Sequence, residues 1–478
     1  MAKIIHFGNQ PDHSSSSNPT SFKFWIVWLS LLLAVFSNRT GLNTNVMSRV
    51  ALMLALTEKY SFEISPWQEL TLDWSRTPEG SYYSNKAPAP SLLAAPLFAA
   101  LYKPLNFFVK SRFTKGKDFN VAWNNMLAFI MWVISIVFQI LPLAWVMSQW
   151  VKWLTQNNIP HSAILFFILA TLFGNTGDFY MNSFHGHGYA MVLALMTLLF
   201  VFKKHWIWAG LALGLGTLGD YSSGLFIPLI GFYVFLHSKN RWGSICLKLG
   251  IGLFFPLIIF AFYHWKCFGG VLTLPQKFQN PLFVDSSAQF ENFGVISWLP
   301  NFNILLKLLF GTTRGILFTQ PYILFLVGFI LASVIRSRRS KEPLEKKLLT
   351  GIVGIAFLLA LLWMNAGFNG WHGGSAPGPR YLTAAFPCLS LAGALYWDRF
   401  NRTERSLLWL TLIYSVVFFS IVLAVGQTPP PEITLISYYT KVFTFQSDAL
   451  KFGIRWIGLL LALGYGIRME RKSGNFKI

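Results

Sequence analysis

Residues 406–425 read SLLWLTLIYSVVFFSIVLAV, twenty residues without one charged side chain. In lipid every backbone polar group must be satisfied inside its own segment, so a helix of about 20 mostly apolar residues is the natural spanning unit. Just before this run stands DRFNRTER, 398–405, with three arginines. A long apolar run bounded by a short basic loop is the positive-inside pattern.

The same unit recurs along the chain. Runs at 23–42, 124–147, 187–202, 245–263, 317–335, 349–366 and 379–397 match it well. Those at 89–109, 161–176, 205–219, 222–238 and 453–468 match it less cleanly. Only 12% of the 478 residues are charged, against about 25% in soluble domains. The expected fold class is an all-α polytopic membrane protein of about 11–14 transmembrane helices, with further helices in its outer loops. No cleavage signature follows 23–42, so that run reads as a retained anchor behind a polar N-terminus, 1–22.

Charge asymmetry orients the bundle. The tail 469–478, the loops 398–405, 336–347 and 239–248, and the pair Lys203–Lys204 are basic and read as cytoplasmic. The segments 43–88, 177–186, 264–316, 367–378 and 426–452 carry few charges and read as outer loops of one membrane domain, 23–468. The net charge of +21 is accounted for by this bias and implies no nucleic-acid partner. Between 89 and 160 the two directions of counting collide. Either 89–109 does not cross fully, or the run 119–154 hides a second crossing. The segment 48–59 has apolar residues at helical spacing, as in a helix lying on the membrane surface or a plain helical extension of the loop. Residues 299–311 look similar. Cys246, Cys267 and Cys388 show neither disulfide nor metal spacing.

Carboxylates are scarce, which narrows the search for chemistry. Asp73 precedes Tyr82, Tyr83 and Lys86 at the entry to a Pro-broken apolar run, a combination suited to a base beside a bound phosphate or to an ordinary polar loop with a snorkelling lysine. Asp178, His185 and His187 sit in GNTGDFYMNSFHGHGYA, and Asp220–Tyr221 interrupts another apolar stretch. Ionisable groups at membrane depth are costly and mark a watered site or a buried pair. Histidines two apart near an aspartate are a weak metal signal, and no metal is assigned to them. The Gly-rich loop 367–382 delivers His372 and Arg380, and a guanidinium is suited to bidentate phosphate contact. Arg314 in GTTRGILF invites the same comparison, with an interfacial anchor as the alternative. Walker, GxGxxG, GxSxG and HExxH motifs are absent from the sequence.

Taken in order, YYSNKAPAPSLLAAPLF (82–98), FHGH (184–187), GLGTLGDYSSGLFIPL (214–229), FGGVLTLP (268–275), TTRGILFTQPYIL (312–324) and GWHGGSAPGPRYL (370–382) resemble the bacterial GT-C glycosyltransferases. These are the polyprenyl-phosphate-sugar-dependent group that includes protein mannosyltransferases and aminoarabinose transferases, and the resemblance runs from about residue 40 to 400. It implies a GT-C-like bundle in the cytoplasmic membrane that transfers a sugar, with inversion, from a polyprenyl-phosphate donor to an outer glycolipid, polysaccharide or protein. Donor, acceptor and membrane lipids would be the partners, and no cofactor is required. It assigns the base to Asp73, with Asp178 as alternative. Lys86, Arg380, Arg314 and Arg49 would hold the donor phosphate, and Tyr83, His187, Asp220, Tyr221 and His372 would line the substrate. The chain departs from the family where Asn43-Thr44-Asn45 replaces an acid pair and where Ala89 replaces a glycine. A transporter or flippase of a lipid-linked or anionic solute, using the same cations without a base, is the rival expectation, and an envelope scaffold a third.

Overall fold

The computed structural model describes residues 42–113, 116–181, 183–238, 241–283, 296–339, 346–425 and 428–446, with single positions 453, 456, 457 and 460. The expectations for 1–22, the anchor 23–42, most of the run 453–468 and the tail 469–478 lie outside the described residues.

The chain opens with α1 (Thr44–Lys59), whose cap Asn43 accepts a hydrogen bond from Val46 N and whose end turns through left-handed Tyr60. A short ribbon follows, β1 (Trp74–Arg76) against β2 (Tyr82–Ser84), with Trp74 opposite Ser84. It is the exception to the all-α expectation among the described residues. Then come α2 (Ala89–Arg112), α3 (Lys117–Gln156), α4 (His161–Leu172), the single turn α5 (Gly177–Met181) and α6 (Gly186–Phe202). Next are α7 (Trp206–Gly219), α8 (Phe226–His237), α9 (Trp242–Phe268), α10 (Phe302–Phe310) and α11 (Ile316–Thr319). The order closes with α12 (Tyr322–Arg339), α13 (Lys346–Ala366), α14 (Ala385–Tyr396), α15 (Arg402–Val425) and α16 (Leu435–Gln446).

Among the described residues, five helices are long and apolar enough to cross a bilayer, and shorter apolar helices pack between them. The chain is a multi-pass helical membrane protein. Long helices such as α9 turn Phe254, Phe255, Ile258 and Phe262 outward, as lipid-facing helices do. The main core gathers α3 through α8 with α12 through α15.

The run 119–154 lies in one continuous helix of 40 residues, α3, which passes through a π turn at Ile136–Ile140 without reversing. It therefore hides no second crossing. At 1.5 Å per residue it is about 60 Å long, twice the roughly 30 Å hydrocarbon core. Its halves have different neighbours: the first packs with α1 and α2, while in the second Trp150 Nε1 donates to Leu195 O in α6. The segment 48–59 is helical but does not lie on a surface. Twelve of the sixteen residues of α1 are buried, so it is an interior element. In α10, by contrast, Phe302, Leu306 and Phe310 form an exposed stripe, as an interfacial helix would.

Candidate active site

The site is built from the ribbon inward. Because β1 and β2 pair with Trp74 opposite Ser84, the residues just outside them, Asp73 and Asn85–Lys86, meet at the ribbon's open end. Ser48 of α1 fastens that end: its hydroxyl donates to Asp73 O (2.5 Å) and accepts from Ser84 Oγ (2.8 Å). Asp73 N donates to Thr71 Oγ1, which itself donates to Thr44 O. The far side is held by Ser75 Oγ, donating to Pro275 O (2.6 Å), and by Asn280, donating to Leu72 O. In this frame Lys86 Nζ stands 3.1 Å from Asp73 Oδ1, both side chains largely buried.

Three basic groups, Lys86, Arg49 and Arg380, are buried within electrostatic reach of one another. Arg49, buried in α1, donates from Nη1 to both the carbonyl and the side-chain oxygen of Asn45, while its Nε has no hydrogen-bond partner. Arg380 donates from Nη2 to Tyr381 Oη (3.0 Å), lies 5.0 Å from that ring's centroid, and also has a buried Nε without a partner. Gly373 makes this possible. Its φ of +71° and the contact a Cβ there would make with the Arg380 side chain both require glycine.

Electrostatics ties the groups together. Burial works against the Asp73 charge, but Lys86, and behind it Arg380, outweigh that cost and hold the carboxyl below its ordinary range. Burial brings the Lys86 ammonium down to about 8, with Asp73 opposing the shift and Arg380 and Arg49 adding to it. Burial likewise lowers Arg49 to about 10, against the pull of Asp220 and Asp73. Both partners of the Asp73–Lys86 pair are thus lowered, Lys86 mainly by burial and Asp73 by the cations around it.

A second pair lies within electrostatic reach of the same two arginines. His187 Nδ1 donates to Asp220 Oδ2 (2.6 Å), and Asp220 Oδ1 accepts from Ser222 N and Ser222 Oγ. The rings of Tyr180 and Tyr381 pack edgewise on the imidazole at 5.2 and 5.4 Å. Gly186 lets α6 begin here, since a Cβ would collide with Gly219 O and crowd the Arg49 guanidinium. Below, Gln139 in the π turn donates to His185 O (2.8 Å), in keeping with the frequent use of such turns at functional sites.

The structure thus gathers Asp73, Lys86, Arg49, Arg380, His187 and Asp220, while other expected residues have different occupations. Arg314 is fully buried and donates only to carbonyls: His372, Thr313, Gly374 and Pro429. Its guanidinium ties three loop segments together through these carbonyls. His372 belongs to the same tie, its Nδ1 accepting from Gly374 N (2.9 Å). Tyr83 packs edgewise on Phe268 within an aromatic cluster beneath the ribbon. Tyr221 donates to His264 Nε2 (3.0 Å), since His264 Nδ1 is committed to Phe260 O. Asp178 is buried in α5, two residues before Tyr180. Tyr180, Tyr381 and Asn85 were not singled out from sequence as site residues. Adjacency to Arg380 and Lys86 was the available signal for the last two. Among the described residues no group of three His, Cys, Asp or Glu is placed to hold a metal ion. No family model matches the chain, and no curated protein matches it.

Proposed function

We propose that the protein is a membrane glycosyltransferase that moves a sugar from a polyprenyl-phosphate carrier to an acceptor outside the cytoplasmic membrane, with inversion. The observation that carries this reading is the buried Asp73–Lys86 pair, 3.1 Å apart, within electrostatic reach of Arg49 and Arg380, each with an unpartnered Nε. A carboxylate beside an excess of buried cations suits a reaction in which one group takes a proton and another stabilises a departing phosphate.

In this mechanism the acceptor hydroxyl attacks the anomeric carbon opposite the phosphate and gives its proton to Asp73. The carbon–oxygen bond to phosphate breaks, and its electron pair leaves with the polyprenyl phosphate, whose charge Lys86 and Arg380 hold. Phosphate leaves without prior protonation, so positioned cations matter more than a general acid. Lys86 neutralises Asp73 across their 3.1 Å contact. An arriving phosphate competes for that ammonium, loosens its hold on the carboxylate and makes Asp73 a better base.

The test is transfer from labelled polyprenyl-phosphate sugars to outer-envelope acceptors by reconstituted protein. Asp73→Asn is expected to lower the rate by about 10²–10⁴-fold, the usual contribution of a general base. Undiminished transfer by that variant would remove Asp73 from the reaction. Flux of a lipid-linked solute without transfer from any donor would replace the enzyme by a transporter.

A further inference from the structure

The π turn of α3 holds a side chain for which the transfer mechanism has so far no use. At Ile136–Ile140 the helix winds wider than the α-helix on either side, a rare feature that recurs at functional sites. The turn packs on α6 and carries Gln139 fully buried. Gln139 Nε2 donates to His185 O (2.8 Å), which fixes the orientation of the amide. Its Oε1 is then a buried acceptor with no partner among the described residues. A buried acceptor left unmatched is costly, and native proteins keep few of them.

The neighbouring residues set this oxygen beside the cations. After His185 comes Gly186, where a Cβ would stand 2.8 Å from Arg49 Nη2. The Tyr180 ring packs edgewise on both His185 and His187, at 5.1 and 5.2 Å. His185 Nδ1 shares a hydrogen bond with Ser183 Oγ (2.7 Å). Besides burial, the side chains that act on His185 most strongly are Arg49, His187, Arg380 and Lys86, all of them basic. Gln139 thus stands at the edge of the group proposed to hold the donor phosphate.

The unpartnered atoms here ask for two kinds of ligand atom. Nε of Arg49 and Nε of Arg380 are donors, and phosphate oxygens match them. Gln139 Oε1 is an acceptor, and an ionised phosphodiester has no hydrogen to give it. In a sugar phosphate the group that has one is a hydroxyl of the sugar ring. An ammonium would donate as well, but it would lie among Arg49, Arg380 and Lys86, where like charges repel.

We propose that Gln139 accepts a hydrogen bond from a ring hydroxyl of the transferred sugar, and that this sugar is an uncharged hydroxylated ring in preference to a cationic amino sugar. The proposal rests on the transferase reading and deepens it. Gln139 sets specificity: it touches the sugar and takes no part in proton transfer.

The experiment uses the full chain reconstituted in lipid vesicles. It compares kcat/KM for a polyprenyl-phosphate hexose with that for donors lacking one ring hydroxyl at a time. One monodeoxy donor is expected to lose about tenfold with the wild-type protein. Gln139→Met, close in shape but without the amide, should slow the parent hexose by about the same factor and no longer distinguish that donor from it. Thermal unfolding of the variant should change little. Absence of any hydroxyl preference in the wild type, or the same preference in both proteins, would overturn the contact and leave the transferase standing. Absence of transfer from every donor would overturn the transferase reading and the contact with it. Equal rates at pH 7 for the hexose and its amino counterpart would overturn the uncharged sugar. Should Gln139→Met not fold, Gln139→Asn, which keeps the amide and shortens its reach, gives the same comparison.

Discussion

Arg314 and Arg380 stand in neighbouring Gly-rich loops and look alike in sequence, yet the fold uses them in opposite ways. The Arg314 guanidinium has its donors on Nε, Nη1 and Nη2 spent on backbone carbonyls. It organises the loops at 312–315, 372–374 and 429. Arg380 shares its chamber with Asp73 and Lys86, hydrogen-bonds the adjacent tyrosine and keeps Nε unpartnered. A cation with four hydrogen bonds to carbonyls is structure. A buried cation facing carboxylates with a donor to spare is a place for a ligand. The difference lies in the partners, and a one-dimensional reading sees only the arginine.

The sharpest way to break this contrast is to exchange the consequences. Arg314→Met should destabilise the protein by about 3–5 kcal/mol, since it strands several buried carbonyls together, and it should appear as a collapse of thermal stability before any kinetic effect. A stable Arg314→Met protein with lowered donor affinity would reverse the assignment. Lys86→Ala should do the opposite and lower transfer by about 10²–10³-fold while the unfolding temperature moves little. Because burial brings Lys86 down to about 8, its charge is present below that pH and lost above it. The profile of kcat/KM should therefore fall on the alkaline side of about pH 8, and Lys86→Arg should carry that limb upward. A profile flat through pH 9 would remove Lys86 from phosphate binding. The smallest effect belongs to the second pair: Ser222→Ala, which deletes one hydrogen bond to Asp220, should cost about 1 kcal/mol, near fivefold in rate.

The two pairs also differ in how visible they were. The residues of both the Asp73–Lys86 and the His187–Asp220 pairs were singled out from sequence, Asp73 and Lys86 as parts of one site, but neither direct contact was read. Asp73 and Lys86 meet because a ribbon of two three-residue strands turns between them. Strands that short show no alternation to read. His187 and Asp220 stand at the ends of different helices, brought together where Gly186 permits close approach. Arg49 was legible as a cation on a helix, but that helix had the amphipathic look of a surface element. Only packing against α2 and the ribbon makes it interior. Similarly, the 119–154 run was long enough to hide two crossings, and continuity through a π turn rather than composition decided that it holds one helix.

Composition and charge alone determined that this chain is a multi-pass helical membrane protein, because the cost of an unsatisfied backbone in lipid leaves a mark on every twenty-residue window. They also named most of the ionisable residues of the chamber, because such groups are rare enough in apolar sequence to stand out. Which carboxylate faces which cation, and which arginine is already spent, was decided only by tertiary structure. Hydrogen bonding and ion pairing act over about 3 Å, a distance that spacing along a chain does not encode.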